Sequence, residues 1–334
     1  MKAKNLTNKN PGGDRQKLVE KLPLSTPYVV QIFPIYACNF SCYYCGIFNK
    51  KKKDRFFISD KVKMEWKLFR KFVTDMLKFP EKVKIFRFVG VGEPLLHEEL
   101  CNMIWWAKVH NVAEKIEVIT NGSLLNKDLS FNLITSGLDR LVISLQGLSS
   151  KDYKEVSNVN IDFNKFVENM EYLYNLKKLK GSSLHIYVKI ADISLKSRED
   201  EKRFYDIFGK ISDSLAIEHI VPLHAESGKS EKTQFGENAK DISICSLPFY
   251  FLELRPDGNI TPCYSFQAPV HVGNVYEESI VDIWNSAKMK EFRLTMINEH
   301  RQDIDICKTC GMTKYRYHTE DDLDNFEEKL KKMY

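Results

Sequence analysis

Between residues 28 and 223, short runs of β-branched and aromatic residues alternate with longer stretches in which apolar side chains recur every three or four positions. The first pattern suits a buried strand and the second an amphipathic helix. Strands are predicted over 29–36, 83–90, 115–120, 140–145, 184–190 and 216–221, and helices over 61–79, 98–110, 164–179 and 201–211. Alternation of this kind builds repeated βα units around a parallel sheet. Right-handed crossovers would wind the six units into an α/β fold, a partial (β/α)6 TIM-like barrel. The polar, glycine-containing motifs fall just after strands, at the end where barrel enzymes keep their active sites.

The periodicity stops at HAESGKSEKTQFGENA, residues 224–239, which reads as a linker. Beyond it come short strands and turns at 251–254, 256–259 and 260–263, a helix over 280–296 and a charged helical tail over 321–332. The expected organisation is a polar N-terminal tail (1–27), the barrel (28–223), a linker (224–243), a small C-terminal α+β domain (244–318) and a charged C-terminal helix (319–334).

The formal charge of +5 over 334 residues comes largely from lysines in the tails and in the run at 50–53. Such runs are solvated faces, which argues against a nucleic-acid partner. No apolar stretch approaches membrane-spanning length and the first residues carry no signal-peptide core, so a cytoplasmic protein is expected. In a reducing compartment eight cysteines are ligands or core residues rather than disulfides.

Three of them, Cys38, Cys42 and Cys45, lie in CNFSCYYC directly after the first strand. Three thiolates in one short loop can hold three corners of an iron–sulfur cube and leave one iron free. Zinc stays open on spacing alone, although it would want a fourth ligand and the nearest histidine in sequence is His97. After the second strand comes Gly90-Val91-Gly92-Glu93-Pro94, whose glycines admit close backbone approach and whose carboxylate suits an ammonium group. Thr120-Asn121-Gly122 ends the third strand and Ser144-Leu145-Gln146-Gly147 the fourth. Taken singly, each is equally a turn or a polar strand end.

Together these motifs resemble those of the radical S-adenosylmethionine (SAM) enzymes, which carry C-x3-C-x2-C after the first barrel strand and a Gly-Gly-Glu-like motif after the second. Val91 stands where that motif has its first glycine. The resemblance implies that Cys38, Cys42 and Cys45 hold a 4Fe–4S cluster whose open iron chelates SAM. It places Gly90, Gly92, Glu93, Asn121, Ser144 and Gln146 around SAM and Tyr44 beside the adenine; Lys189 could face the SAM carboxylate, but a half-exposed barrel lysine is the preferred reading. One electron would then cleave the sulfonium to a 5′-deoxyadenosyl radical, which abstracts a substrate hydrogen.

Cys245, Cys263, Cys307 and Cys310 form a second set, for which zinc is again an alternative. Their pattern resembles the opening of a SPASM domain, but its further cysteines are missing after Cys310. This implies the shortened twitch arrangement with one auxiliary 4Fe–4S cluster, fully ligated and suited to electron transfer. The resemblance therefore implies two 4Fe–4S clusters, SAM and a flavodoxin- or ferredoxin-type electron donor. The expected activity is that of a radical SAM oxidoreductase dehydrogenating a sugar, aminocyclitol or nucleotide-sugar, with a peptide maturase or a redox-neutral epimerase as alternatives. The molybdenum-cofactor GTP cyclase is set aside, because its C-terminal cysteines number three with C-x2-C first. Candidates for a base or hydrogen donor are Glu253, Asp257, Asp192 and Cys101, each with a structural reading beside it; Cys101 also fits the inward stripe of a helix with Leu100, Met103 and Ile104.

Overall fold

The computed structural model describes residues 3–5, 15–45, 62–90, 92–223, 228–265, 268–298 and 300–334. The lysine run at 50–53 and Val91 lie outside them, as does 224–227 of the expected linker. The strands are β1 (Lys4–Asn5), β2 (Val29–Ile32), β3 (Val83–Phe88), β4 (Ala113–Thr120), β5 (Arg140–Leu145), β6 (His185–Ala191), β7 (Ser214–Glu218), β8 (Phe251–Leu254), β9 (Asn259–Thr261) and β10 (Gly273–Asn274). They form one sheet in the order β1-β7-β6-β5-β4-β3-β2-β8-β9-β10. From β2 to β7 every pairing is parallel between consecutive strands, as the βα alternation predicts. The outermost strands β1 and β10 do not pair with each other, so the barrel is partial.

Helices α1 (Trp66–Met76), α2 (Leu100–Val109), α3 (Lys127–Thr135), α4 (Ser150–Ser157), α5 (Phe163–Leu179) and α6 (Arg198–Phe208) cover the outer face. Alternation within each strand sends one set of side chains to this layer. Phe86 and Phe88 of β3, for example, pack with Phe69 of α1. The sequence pattern missed α3 and α4, although each has a capping side chain: Asn126 accepts from Leu129 N and Ser149 from Asp152 N.

The expected strand over 29–36 stops at Ile32, because Pro34 has no N–H to continue a ladder. The expected helix over 280–296 is two helices, α7 (Ile280–Asn285) and α8 (Ala287–Ile297). They are separated by Ser286, whose extended backbone lets its hydroxyl cap α8. Short helices α9 (Asp305–Lys308) and α10 (Met312–Tyr315) follow.

The tail is not the continuous helix expected over 319–334. Only α11 (Glu327–Lys331) is α-helical, because Leu323 and Leu330 turn inward and the Asp324 carboxylate receives the Ser243 and Ile244 amides. The N-terminal stretch expected as a polar tail is anchored twice: β1 pairs with β7, and Leu18, Val19 and Leu22 join α8 and the C-terminal tail in a second apolar core. No helix among the described residues is long and apolar enough to cross a membrane.

The pairing of β8 with β2 was not legible from the sequence. It makes the C-terminal region a continuation of the barrel sheet.

Candidate functional site

The inner face of this sheet carries a polar row beside a small apolar patch of Ile119, Val142, Tyr187 and Ala216. One register row crosses six strands as Thr261, Glu253, Gln31, Arg87, Glu117 and Arg140. Arg87 and Arg140 both pair with the buried Glu117, Arg140 at 3.5 Å. Burial alone would raise the Glu117 carboxyl, but the two guanidiniums outweigh it and hold the pKa below the ordinary value. Further along the same face, Lys189 meets Glu218 at 2.8 Å, and Gln234 donates to that carboxylate at 3.1 Å.

The loop after β2 carries Cys38, Cys42 and Cys45 and is tied to the end of α4. Ser41 N donates to Ser157 O at 2.9 Å, Tyr43 N donates to Val156 O at 3.0 Å, and the Phe40 ring packs edge-on to Tyr153. Burial pushes the Cys38 thiol up to about 11, with the other two thiols and Glu93 adding to it.

Gly92 passes directly against this loop: a Cβ there would lie 2.2 Å from Ile35 O and 2.8 Å from Ala37 O. Gly90 has φ +146°, and its missing side chain leaves room for the Phe33 ring. Glu93, 2 % exposed, accepts from Asn121 N at 2.8 Å, Leu95 N at 3.0 Å and the Thr120 hydroxyl at 2.5 Å. Burial raises its pKa, opposed by these three bonds. Asn121 in turn donates to Asn39 of the cysteine loop at 2.9 Å. The ends of β2, β3 and β4 are thus stitched together, and Asn39 is a member that sequence reasoning missed.

Gln146 is brought to the same place. Its carbonyl oxygen accepts from Tyr44 OH and lies 3.7 Å from Cys42 Sγ, while its amide donates to Ser144 O at 3.2 Å. Ser144 stands beside Lys189 in register, but Lys189 is engaged by Glu218.

The structure does not gather the proposed bases and donor. Asp192 pairs with His219 at 2.8 Å, and Asp257 closes its own turn onto Asn259. Cys101 packs against the main core from α2 with its thiol pushed up to about 11 by burial. Glu253 is fully buried between Gln31 and Arg255, both at 3.0 Å, and burial lifts its carboxyl to about 8.

Cys245, Cys263, Cys307 and Cys310 come together although up to 65 residues separate them. Burial raises all four thiols, and electrostatic interactions among the four add to the shifts of Cys245, Cys263 and Cys307. Gly311 locks this set against the segment after β7: Gly311 N donates to Leu223 O at 2.9 Å, and a Cβ would collide with Pro222 O.

Backbone N–H groups two residues on donate to Cys38, Cys263 and Cys310 sulfurs at 3.4, 3.3 and 3.4 Å. Such bonds favour thiolates, which fits both sets to iron–sulfur ligation. Among the described residues no three His, Cys, Asp or Glu side chains converge on a single-ion position.

Register separates the two sets. β9 ends at Thr261 opposite Glu253, and the chain carrying Cys263 runs on from there toward the start of β8. The Tyr264 ring packs on Phe251 accordingly, at 5.2 Å. The triplet follows the end of β2, the parallel neighbour of β8. Sequence reasoning also missed Glu218, whose only linear signal was a carboxylate near the end of a barrel strand.

Family models match two stretches: the Radical SAM superfamily over residues 32–204, and the SPASM iron-sulfur cluster-binding domain over 245–311. A cofactor-modifying protein for tungsten-containing aldehyde ferredoxin oxidoreductase from Pyrococcus furiosus is 25% identical, over 78% of this chain and 82% of its own. The S-adenosyl-L-methionine-dependent 2-deoxy-scyllo-inosamine dehydrogenase of Niallia circulans is 23% identical, over 82% of this chain and 88% of its own. A probable GTP 3′,8-cyclase from Sulfolobus acidocaldarius aligns at 28% identity, over 57% of this chain and 54% of its own. Among solved structures, BtrN in complex with AdoMet and 2-DOIA superposes with TM-score 0.57 at 18% identity, over 88% of this chain and 96% of that one. Streptococcus suis SuiB bound to its precursor peptide SuiA gives 0.58 at 18% identity, over 89% and 72%.

Proposed function

The chain belongs to the radical SAM superfamily, with the SAM and 4Fe–4S cofactors this entails, and we propose that it dehydrogenates a small, carbohydrate-like substrate held inside the partial barrel. What supports this reading is the chain order around the sheet: Cys38, Cys42 and Cys45 follow the end of β2, Cys245 precedes the start of its parallel neighbour β8, and the polar pair Gln31 and Glu253 lies between these segments. Cys38, Cys42 and Cys45 would hold a cluster by three thiolates, whereas Cys245, Cys263, Cys307 and Cys310 would supply four to theirs. When bound, the first cluster and SAM supply a hydrogen-abstracting 5′-deoxyadenosyl radical, and the second supplies a one-electron acceptor.

The remaining work is done by side chains. Glu93, fixed by Thr120, Asn121 and Leu95, holds the SAM ammonium. Gly90 and Gly92 let that strand end close on the cysteine loop, and Tyr44 and Gln146 brace Cys42. Glu218, half-buried and paired with Lys189, would be the carboxylate that accepts the substrate proton. Burial would raise its pKa, but Lys189 and Arg316 outweigh burial and keep it ionised. The charged inner face, with Arg87, Glu117, Arg140 and Lys189, suits a polyhydroxy or amino substrate rather than an apolar one.

Anaerobic reconstitution should give about eight irons per chain. Turnover with carbohydrate, aminocyclitol and peptide panels, read as 5′-deoxyadenosine, then tests the substrate class. Deuterium transfer from a carbohydrate carbon into 5′-deoxyadenosine is expected; acceleration by peptides alone would end the proposal. A product inverted at the abstracted carbon, with no change in oxidation state, would replace dehydrogenation by epimerisation.

A further inference from the structure

Residues 231–239 of the expected linker form a tight turn. Ala239 N donates to Glu231 O and Thr233 N to Glu237 O, both at 2.8 Å, and the buried Thr233 hydroxyl accepts from Phe235 N at 3.3 Å and Glu237 N at 3.2 Å. Gly236, at φ +81°, closes the turn. Its tip is inserted between the end of β7 and α10, the helix that follows the C-x2-C pair. His219 N donates to Gln234 O at 3.2 Å, Gln234 N donates to Tyr315 O at 2.8 Å, and Phe235 stacks on His318 at 4.5 Å.

The Gln234 side chain, 8 % exposed, donates from Nε2 to Glu218 Oε2 at 3.1 Å, and Lys189 Nζ donates to the same oxygen at 2.8 Å. Glu218 Oε1 has no hydrogen-bond partner among the described residues and is not sealed from solvent. The other carboxylates of the site are fully engaged. Glu93, Glu117, Glu253, Asp192 and Asp257 each accept hydrogen bonds on both oxygens. Of these six, Glu218 alone presents a bare oxygen.

We infer that Gln234 is a positioning residue: with Lys189 it clamps Oε2 of Glu218, so that Oε1 is the atom that takes the substrate proton. This rests on the proposed dehydrogenation with Glu218 as the proton acceptor. In that reaction the substrate carbon gives a hydrogen atom to the 5′-deoxyadenosyl radical, the hydroxyl proton goes to Oε1, one electron leaves to an iron–sulfur acceptor, and C–OH becomes C=O. The last torsion of a glutamate is broad, so a single donor leaves its carboxylate free to swivel. A second donor, carried by a different segment, fixes the plane. Donors on Oε2 also suit both states, because a carboxyl protonated on Oε1 still accepts at Oε2.

The test uses the reconstituted full chain and the carbohydrate that passes deuterium into 5′-deoxyadenosine, deuterated at the reacting carbon. If no carbohydrate does so, or if E218Q forms product as fast as wild type, the reading beneath the inference fails and takes the inference with it, an outcome distinct from those that follow. E218Q is expected to lower kcat about 100-fold or more.

Q234L removes the donor but keeps the turn, whose bonds at this residue to His219 and Tyr315 are made by backbone. It should lower kcat for the oxidised product about tenfold, the worth of one hydrogen bond to a charged group, and leave KM within about twofold. Deuterated 5′-deoxyadenosine should then accumulate ahead of product. Q234E keeps the size but sets a second carboxylate against Oε2, and should lower kcat further. A kcat for Q234L within twofold of wild type overturns the inference, as does an equal fall in 5′-deoxyadenosine and product, which is what a merely structural role predicts. If Q234L does not load iron, Q234E decides: a loaded Q234E in which 5′-deoxyadenosine outruns product supports the clamp, whereas failure of both to load makes Gln234 a structural residue and overturns it.

Discussion

Replacing Glu93 by Gln tests the placement of SAM most directly, because the surroundings of this carboxylate are fully specified. Its two oxygens accept from Asn121 N, Leu95 N and the Thr120 hydroxyl, and it is almost completely buried. An amide can keep only one of the two oxygens. If the new NH2 faces Asn121 N–H, two donors oppose each other, which costs about 1–3 kcal/mol of stability. If it faces Thr120, the hydroxyl can turn to accept, but the Leu95 N–H bonds to that same oxygen and is left facing a donor, so the cost is of the same order.

The loss in SAM binding is separate. A charge-assisted bond from the SAM ammonium is worth about 1.5–3 kcal/mol, so affinity should fall roughly 10–150-fold. Equilibrium dialysis of radiolabelled SAM against anaerobically reconstituted protein measures this, with iron content and circular dichroism as controls. Thr120→Val removes a hydrogen bond but leaves the charge, and should weaken binding by only a few-fold.

The pH dependence has a definite sign. Burial raises the Glu93 pKa, so the SAM-free protein holds this proton to higher pH than an exposed Glu would. SAM affinity should therefore rise with pH through that titration in the wild type and lose this dependence in E93Q. If E93Q with full iron content binds SAM within threefold of wild type, Glu93 is not the ammonium acceptor.

Three further outcomes follow from the geometry. Gly92→Ala places a Cβ against two backbone carbonyls that cannot move aside, so SAM-dependent 5′-deoxyadenosine formation should fall about 100-fold or more while the helical circular dichroism persists; activity within tenfold of wild type would contradict the close approach. Glu117→Gln leaves Arg87 and Arg140 facing each other without their shared carboxylate and should cost about 3–5 kcal/mol in urea unfolding, with less than 1 kcal/mol showing the triad to be solvated. Glu253 has its carboxyl raised from 4.5 to about 8, so the folded chain binds a proton that the unfolded chain has released. Its contribution to stability is present below the unfolded pKa and is lost as pH rises through about 8; unfolding midpoints compared near pH 5 and pH 8 should fall more steeply in wild type than in E253Q, and parallel slopes would reject the shift.

What the sequence revealed follows from how local each signal was. The six barrel strands and four longest barrel-side helices were legible because their periodicity runs over many residues. The motifs at the ends of β2, β3 and β4 were legible because each is contiguous. Helices α3 and α4 were too short for periodicity to register, although Asn126 and Ser149 cap them. Partners across strands were not legible at all. Nothing linear joins Lys189 to Glu218 or Tyr44 to Gln146. Glu253 looked like a possible base, yet its neighbours Gln31 and Arg255 occupy both oxygens, and Gln31 arrives only because β8 pairs with β2.

That pairing also governs what can be a substrate. Four residues of β2 span about 13 Å at a strand's rise of ~3.3 Å per residue; one cysteine set follows its end, and Cys245 precedes the start of its parallel neighbour β8. Because β2 hydrogen-bonds to barrel strand β3 on one side and to β8 on the other, this separation belongs to the sheet rather than to a flexible domain contact. A substrate lying between the two sets must be polar enough to replace water around Arg87, Glu117, Arg140 and Lys189. A single sugar or aminocyclitol ring meets this condition. A peptide would have to present one side chain through the open edge and leave its backbone outside, where the charged inner row could not reach it. On the proposed function, the substrate would meet the radical source after the end of β2 and the acceptor near the start of β8, and the turnover panels decide between a ring and a peptide side chain.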